Sequence, residues 1–273
     1  MSPFFSIVIP TLNEEKAIPR LLEDIRRQKY KDYEVIIVDS RSADRTVEEA
    51  EKFRTYLPSL TILKGHKRNL CEQRNYGAAH AKGQYLVFND ADVQLYTSYL
   101  QELYNEIQTS GSLFLTTYQL PDMRGKMDIL LAQISNYMLE VLPVINKQMA
   151  PEYNFVIRRD IFNKVGGFDR DATFSEAHEL SIRIWDKTDI RVKIIRKNLL
   201  KWSFRRLRKD GRLNVTLKYA TAAFYMLVFG KITDKNFAYQ MGGDYFKDLS
   251  KINQESLKKG LKQAFQRIFG DLG

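Results

Sequence analysis

"YLVFNDADVQ", residues 85–94, decides how the chain is read. Tyr85, Leu86, Val87 and Phe88 form an apolar run that ends on Asp90 and Asp92, with only Ala91 between them. Carboxylates at i and i+2 cost strand stability and repel each other. A divalent cation held between them offsets both costs, and such a cation commonly carries a phosphate with it. An isolated D-x-D recurs by chance. Its weight here comes from what precedes it.

Apolar runs at 4–9 ("FFSIVI"), 33–38 ("YEVIIV"), 60–64 ("LTILK"), 84–88 ("QYLVF") and 112–118 ("SLFLTTY") read as strands. Helical patterns at 15–28, 44–53, 70–82 and 97–108 lie between them. Strand and helix alternating at this spacing predict βαβ units and a mostly parallel sheet. The best strands are apolar on both faces, as in a sheet covered by helices on both sides. Ligands in such sheets bind beyond the carboxyl ends of the strands. Three of those ends are "PTLNEE" (10–15), "DSRSADRT" (39–46) and "NDADVQ" (89–94). Asn13, Ser42 or Asp44 could each simply cap a helix. Three acidic loops along one edge are better explained by a ribose and metal site. Beyond residue 120 the alternation stops. A helix is expected over 125–141, a short strand at "YNFVI", a helix near 160–165, a Gly166-Gly167 turn and a further helix from about 175.

The chain has 273 residues, 44% of them hydrophobic, enough to bury a full core and too many for a disordered chain. Its one cysteine, Cys71, permits no intrachain disulfide and fits a reducing compartment. The start lacks a basic region before its apolar run and reads as a strand. No run approaches the length of a membrane span, and the longest, "YATAAFYMLVFG" (219–230), is too short. The net charge is +10. Between Arg191 and Lys218 stand eleven Lys/Arg and one acid, Asp210, so this window carries the whole excess. Nucleic acid, anionic lipid or a phosphorylated substrate could answer it.

Five stretches in order resemble the family 2 glycosyltransferases, inverting enzymes with the A-type glycosyltransferase fold. They are "SIVIPTLNEE" (6–15), "VIIVDSRSADRT" (35–46), "QRNYGAAHAKGQYLVFNDAD" (73–92), "GGFD" (166–169) and "EAHEL" (176–180). The resemblance covers about residues 4–210. It implies a Rossmann-like, mostly parallel sheet with flanking helices, followed by a helical basic appendage. It further implies a nucleotide-sugar donor, a UDP-sugar by family frequency. Pro10, Thr11, Asn13 and Glu14 would line the nucleotide pocket. Asp39 would accept hydrogen bonds from uracil or ribose, and Arg74 would reach the nucleotide or its phosphates. Lys67 and Arg68 are further phosphate partners. Asp90 and Asp92 would hold Mg²⁺ or Mn²⁺ against the diphosphate, whose developing charge the cation stabilises. Arg205 and Arg206 would close over the leaving diphosphate as a guanidinium pair.

The chain departs from the family pattern twice. Many relatives place the base aspartate where this chain has Ala177. Glu176, Glu179 or His178 could substitute. A phosphate acceptor, already ionised, would need no base, and the Asp90, Asp92, Gln94 pattern resembles enzymes that glycosylate polyprenyl phosphates. The second departure is the C-terminus. Polyprenyl-phosphate relatives often carry membrane spans there. Here Leu257, Leu261, Ala264, Phe265, Ile268 and Phe269 share one helical face flanked by Lys258, Lys259, Lys262 and Arg267, an interfacial pattern. The expected organisation is a catalytic domain over 1–205 and a basic amphipathic region over 206–273. The expected setting is cytoplasmic, peripheral on the inner face of an anionic membrane, with a lipid-linked or glycan acceptor. No nucleic-acid partner is expected, because it would leave three acidic loops unexplained.

Overall fold

The computed structural model describes residues 2–65, 68–123, 125–172 and 176–204. Strands β1 (Phe5–Thr11), β2 (Tyr33–Asp39), β3 (Leu60–Lys64) and β4 (Tyr85–Phe88) pair in parallel in the order β3-β2-β1-β4. The sheet continues from β4 through β7 (Phe155–Arg158), β6 (Phe114–Pro121) and β8 (Lys193–Trp202) to the two-residue β5 (Gln94–Leu95). β7 runs antiparallel to both of its neighbours, and β8 runs parallel to β6. The expected strand at 112–118 therefore exists as β6 but does not adjoin β4. "YNFVI", arriving later in the chain, supplies a strand buried along most of its length and inserts between them. β8, inside the basic window, is a strand that periodicity did not announce.

The alternation of side chains builds two cores, one on each face of the sheet. Ile7, Ile9, Val35, Ile37 and Val87 face α1 (Ile18–Arg26), α2 (Thr46–Glu51) and α4 (Tyr99–Ser110). Val8, Ile36, Val38, Leu86 and Phe88 face α3 (Leu70–His80), α6 (Arg159–Val165) and α7 (Glu176–Thr188). All these strand residues are almost fully buried. Helix α5 (Lys126–Val141) packs on β6.

α3 lies unusually close to the sheet because of Gly77. A Cβ there would stand 2.5 Å from Val8 Cγ1 and 3.0 Å from Val38 Cγ2, so any larger residue would push the helix outward. That distance lets the side chains of α3 reach the loops at the strand ends.

The cations of β8 are engaged at the surface. Lys193 pairs with Glu106 at 3.2 Å, Arg196 with Glu140 at 2.8 Å and Lys197 with Glu102 at 2.8 Å. Arg191 lies over the Trp185 ring and Lys201 over Tyr96. This half of the basic window serves the body of the protein. Among the described residues no helix is long and apolar enough to cross a membrane. The expected appendage over 206–273, its amphipathic face, Lys67, Arg205 and Arg206 lie outside the described residues.

Candidate active site

The first two loops lock together. Asp39, the last residue of β2, accepts from Thr11 Oγ1 at 3.0 Å, from the Ser42 amide at 2.9 Å and from Ser42 Oγ at 2.5 Å. Ser42 Oγ in turn accepts from the Asn13 amide at 2.8 Å, and Asn13 Oδ1 accepts from the Ala43 amide at 2.8 Å. Asn13 does not cap α1. It sits at φ 56°, a left-handed conformation that asparagine tolerates, and so turns its side chain toward the second loop. The Glu14 amide donates to Thr46 Oγ1 at 2.7 Å, and the Glu15 amide to Asp44 Oδ2 at 3.1 Å. Pro10 and Thr11 are buried in β1, and Glu14 is largely buried beneath the loop. Arg68 is exposed in the connection from β3 to α3.

Consecutive residues of α3 then reach three different loops, because a helix turns about 100° per residue. Gln73 Nε2 donates to the Thr11 carbonyl at 3.1 Å and to the Val38 carbonyl at 2.8 Å. Arg74 Nη2 donates to Asp90 Oδ1 at 2.9 Å. Asn75 clamps Phe168 of "GGFD", donating to its carbonyl at 2.8 Å and accepting from its amide at 2.9 Å. The clamp depends on Gly167, at φ 67°, where a Cβ would lie 2.6 Å from Asn75 Oδ1. Phe168 thereby lies against Arg74, whose guanidinium stands 5.4 Å from the ring centroid.

Arg74 is fully buried, and its Nε and Nη1 have no hydrogen-bond partner among the described residues. Burial opposes its charge, but Asp90, Glu176 and Glu152 outweigh that and hold its pKa above the ordinary value. Arg74 is paired in the structure with Asp90, the first carboxylate of the D-x-D. It is an internal cation that orients Asp90 and faces Glu176. Asp90 keeps about a third of its side chain exposed. Asp92 is half-buried, and its carbonyl accepts from Arg20 Nη2 at 2.9 Å.

The three candidate bases of α7 have different surroundings. Glu176 begins the helix, is 4% exposed and has no hydrogen-bond partner at Oε1 among the described residues. Burial, then Glu152, push its carboxyl up to about 7 against the pull of Arg74. Glu179 is spent on Arg183, which donates two hydrogen bonds at 2.8 and 2.7 Å. His178 is buried, and burial, aided by Lys147, pushes it down to about 4. It packs as a neutral ring. Ala177, at the usual base position, is fully buried in the core beneath α7, where an aspartate would be desolvated. The Ala177 amide donates to Glu152 Oε1 at 3.4 Å, which brings Glu152 to the first turn of α7.

Sequence reasoning missed Glu152, Gln73, Asn75 and Phe168. For Gln73 and Asn75 the signal was their place beside Arg74 on a helix feeding the D-x-D strand. Glu152 carried none, because its partner is distant in the chain.

Residues 6–166, more than half of the chain, match the glycosyl transferase family 2. The chain belongs to this family. This family 2 chain is 26% identical over 194 residues to a cholesterol galactosyltransferase of Borreliella burgdorferi, a match covering 71% of the chain and 50% of the relative. It is 38% identical over 96 residues to a PGL/p-HBAD biosynthesis glycosyltransferase of Mycobacterium tuberculosis, covering 35% of the chain and 38% of the relative. The chain thus spans half or less of the length of these two relatives. In fold it resembles S. aureus TarS in complex with UDP-GlcNAc, with TM-score 0.65 at 17% identity over 96% of this chain and 81% of that one. It also resembles a mannosyltransferase of Pyrobaculum calidifontis in complex with GDP-Man and Mn²⁺, with TM-score 0.65 at 18% identity over 100% of this chain and 76% of that one. These likenesses establish the A-type glycosyltransferase fold.

Proposed function

We propose that the protein is an inverting, metal-dependent glycosyltransferase that moves a sugar from a UDP-sugar to a hydroxyl of a lipid-linked acceptor at a membrane surface. The observation that carries this reading is Glu176: a buried carboxyl poised near 7, facing the Arg74–Asp90 pair. A general base works best with a pKa near the working pH.

The loops joined by Asp39, Asn13 and Ser42 form the seat for the nucleoside. Asp90 and Asp92 would hold a divalent cation. Arg74 occupies one oxygen of Asp90, and the other makes no hydrogen bond among the described residues. Two carboxylates with diphosphate oxygens and water match the way Mg²⁺ and Mn²⁺ are held in nucleotide sites. A cation bound there would neutralise charge developing on the leaving diphosphate. The acceptor oxygen attacks the anomeric carbon from the side opposite that diphosphate. The new C–O bond forms as the sugar–phosphate bond breaks, and the bonding pair departs with the diphosphate. The acceptor proton passes to Glu176, and the anomeric configuration inverts.

The lipid acceptor rests on the kind of relative the chain has, among them a cholesterol galactosyltransferase. The nucleotide and cation rest on the fold neighbours with UDP-GlcNAc and with GDP-Man and Mn²⁺. Membrane association would fall to the cations beyond residue 204 and to the face of 257–269, because the cations of β8 are already engaged. The test is a screen of nucleotide sugars scoring nucleotide release, with and without a lipid extract and with Mg²⁺, Mn²⁺ or chelator. A cation-dependent release accelerated by lipid is the expected result. Release from no donor overturns the reading, and stimulation by soluble glycans alone moves the acceptor off the membrane. Co-sedimentation with anionic vesicles at low and high salt checks the surface binding separately.

A further inference from the structure

Each aspartate of the D-x-D is held by an arginine, and the two arginines come from opposite faces of the sheet. Arg74, on α3, donates to the Asp90 carboxylate. Arg20, on α1, donates through Nη2 to the Asp92 carbonyl at 2.9 Å. α1 and α3 pack against different cores, so the loop is gripped from both sides. The two bonds differ in kind. Arg74 is buried and acts on a side-chain oxygen, whereas Arg20 is exposed and acts on the backbone. Asp92 lies in the turn between β4 and β5, where no strand pairing among the described residues fixes the chain.

Arg20 is the first of three rungs. Asp24 Oδ2 accepts from the Leu95 amide at 3.0 Å. Gln28, just past the end of α1, donates to the Tyr96 carbonyl at 2.9 Å and accepts from the Leu100 amide at 3.0 Å. Residues four apart on a helix stand one above another, about 6 Å apart along its axis. The rungs therefore follow the chain in order, from 92 through 95 and 96 to 100. Each bonds a backbone group, so together they fix the path of the segment that leaves the D-x-D. Burial rises along the ladder, from the exposed Arg20 through the half-buried Asp24 to Gln28 at 1% exposure. Water competes for an exposed hydrogen bond, so the first rung adds little to folding. Its effect is on where Asp92 stands.

We propose that Arg20 is a positioning residue of the transferase, holding Asp92 through its carbonyl so that both carboxylates of the D-x-D meet one cation, which rests on the reading of Asp90 and Asp92 as the residues that hold that cation. Groups that fix a metal-binding residue in place are typically worth about 10- to 100-fold in metal affinity. A single exposed bond belongs at the lower end of that range.

The test measures Mn²⁺ binding by the full chain with UDP or GDP present, from the loss of the free Mn²⁺ paramagnetic resonance signal. Arg20→Met should weaken Mn²⁺ binding about 10-fold with the thermal melt in place. The direction is informative, because removing a positive charge beside a cation site would by charge alone tighten Mn²⁺. Arg20→Lys, which keeps a donor and the charge, should recover most of the loss. Gln28→Met, which breaks the buried rung, should lower the melt more and Mn²⁺ affinity less. Affinity for UDP without any divalent cation should be the same in Arg20→Met as in the parent. Unchanged Mn²⁺ affinity in Arg20→Met overturns the proposal and leaves the cation reading standing. So does an equal loss in Gln28→Met, which would tie the effect to folding, or a loss of cation-free UDP binding, which would make Arg20 a nucleotide contact. A parent chain that binds no Mn²⁺ with either nucleotide overturns both readings.

Discussion

Two carboxylate sites at the same edge of the sheet are built on opposite terms. Asp39 is nearly buried, and both of its oxygens are met by Thr11 and Ser42, with Ser42 and Asn13 closing the network. Around Arg74, three carboxylates surround one buried guanidinium, and among the described residues Arg74 Nε, Arg74 Nη1 and Glu176 Oε1 have no hydrogen-bond partners. Buried polar atoms are ordinarily satisfied, because leaving one unpaired costs roughly 1–3 kcal/mol. The first site therefore reads as a rigid seat, complete before anything binds. The second leaves buried polar atoms open among the described residues. Such local conflicts concentrate where a protein does chemistry.

The sharpest way to break this contrast is at the cation pair. Asp92→Asn should lower transfer about 10³-fold, the scale of losing several kcal/mol of transition-state charge stabilisation, while the thermal melt stays in place. Asp90→Asn should cost as much activity and also lower stability by about 1–3 kcal/mol, because Arg74 loses its charged partner. A pair of variants that both keep cation-dependent turnover would remove the metal assignment.

Glu176→Gln comes next, with turnover reduced by about 10²–10⁴. In the parent enzyme the rate should rise with pH through about 7 and then level, and the variant should lose that inflection. Stability should move the other way. The folded chain keeps a proton on Glu176 that the unfolded chain releases nearer 4.5, so stability declines as pH rises from there to about 7. Turnover held within a few-fold in Glu176→Gln would instead point to a phosphate acceptor, which needs no base.

Arg74→Met tests the shared cation more gently. Without it the one neighbouring cation that lowers the Glu176 pKa is gone and only a backbone hydrogen bond still lowers it, so the rate inflection should shift to higher pH. An unmoved inflection would mean that Arg74 serves only Asp90. The smallest effect belongs to Glu179→Gln, which breaks a partly exposed i,i+4 pair with Arg183. Stability lowered by about 0.5 kcal/mol with turnover unchanged is expected, and a large kinetic loss would return Glu179 to the candidate bases.

Much of this was written locally. The β1, β2 and β4 runs, apolar on both faces, announced a sheet covered on both sides. The D-x-D at Asp90 and Asp92 announced the charged edge. β6 was found as a strand, yet its place beside β7 and not β4 depends on a pairing more than forty residues away. β8 was hidden because Lys193, Arg196 and Lys197 break the apolar pattern, and their acidic partners lie on α4 and α5. Charge counted along the chain therefore exaggerated how much of the basic window is open to a partner.

The sequence by itself determined the strand–helix alternation, the three acidic loops and the family, because each is carried by neighbouring residues whose patterns follow local geometry. Only the tertiary structure distinguished Glu176 from Glu179 and His178. Those residues lie within one turn of α7 and look equivalent on paper. One is desolvated beside Glu152 and facing Arg74, one is neutralised by Arg183, and one is buried as a neutral ring. A proton's affinity is set by burial and by charges brought from distant segments, and neither exists until the chain has folded.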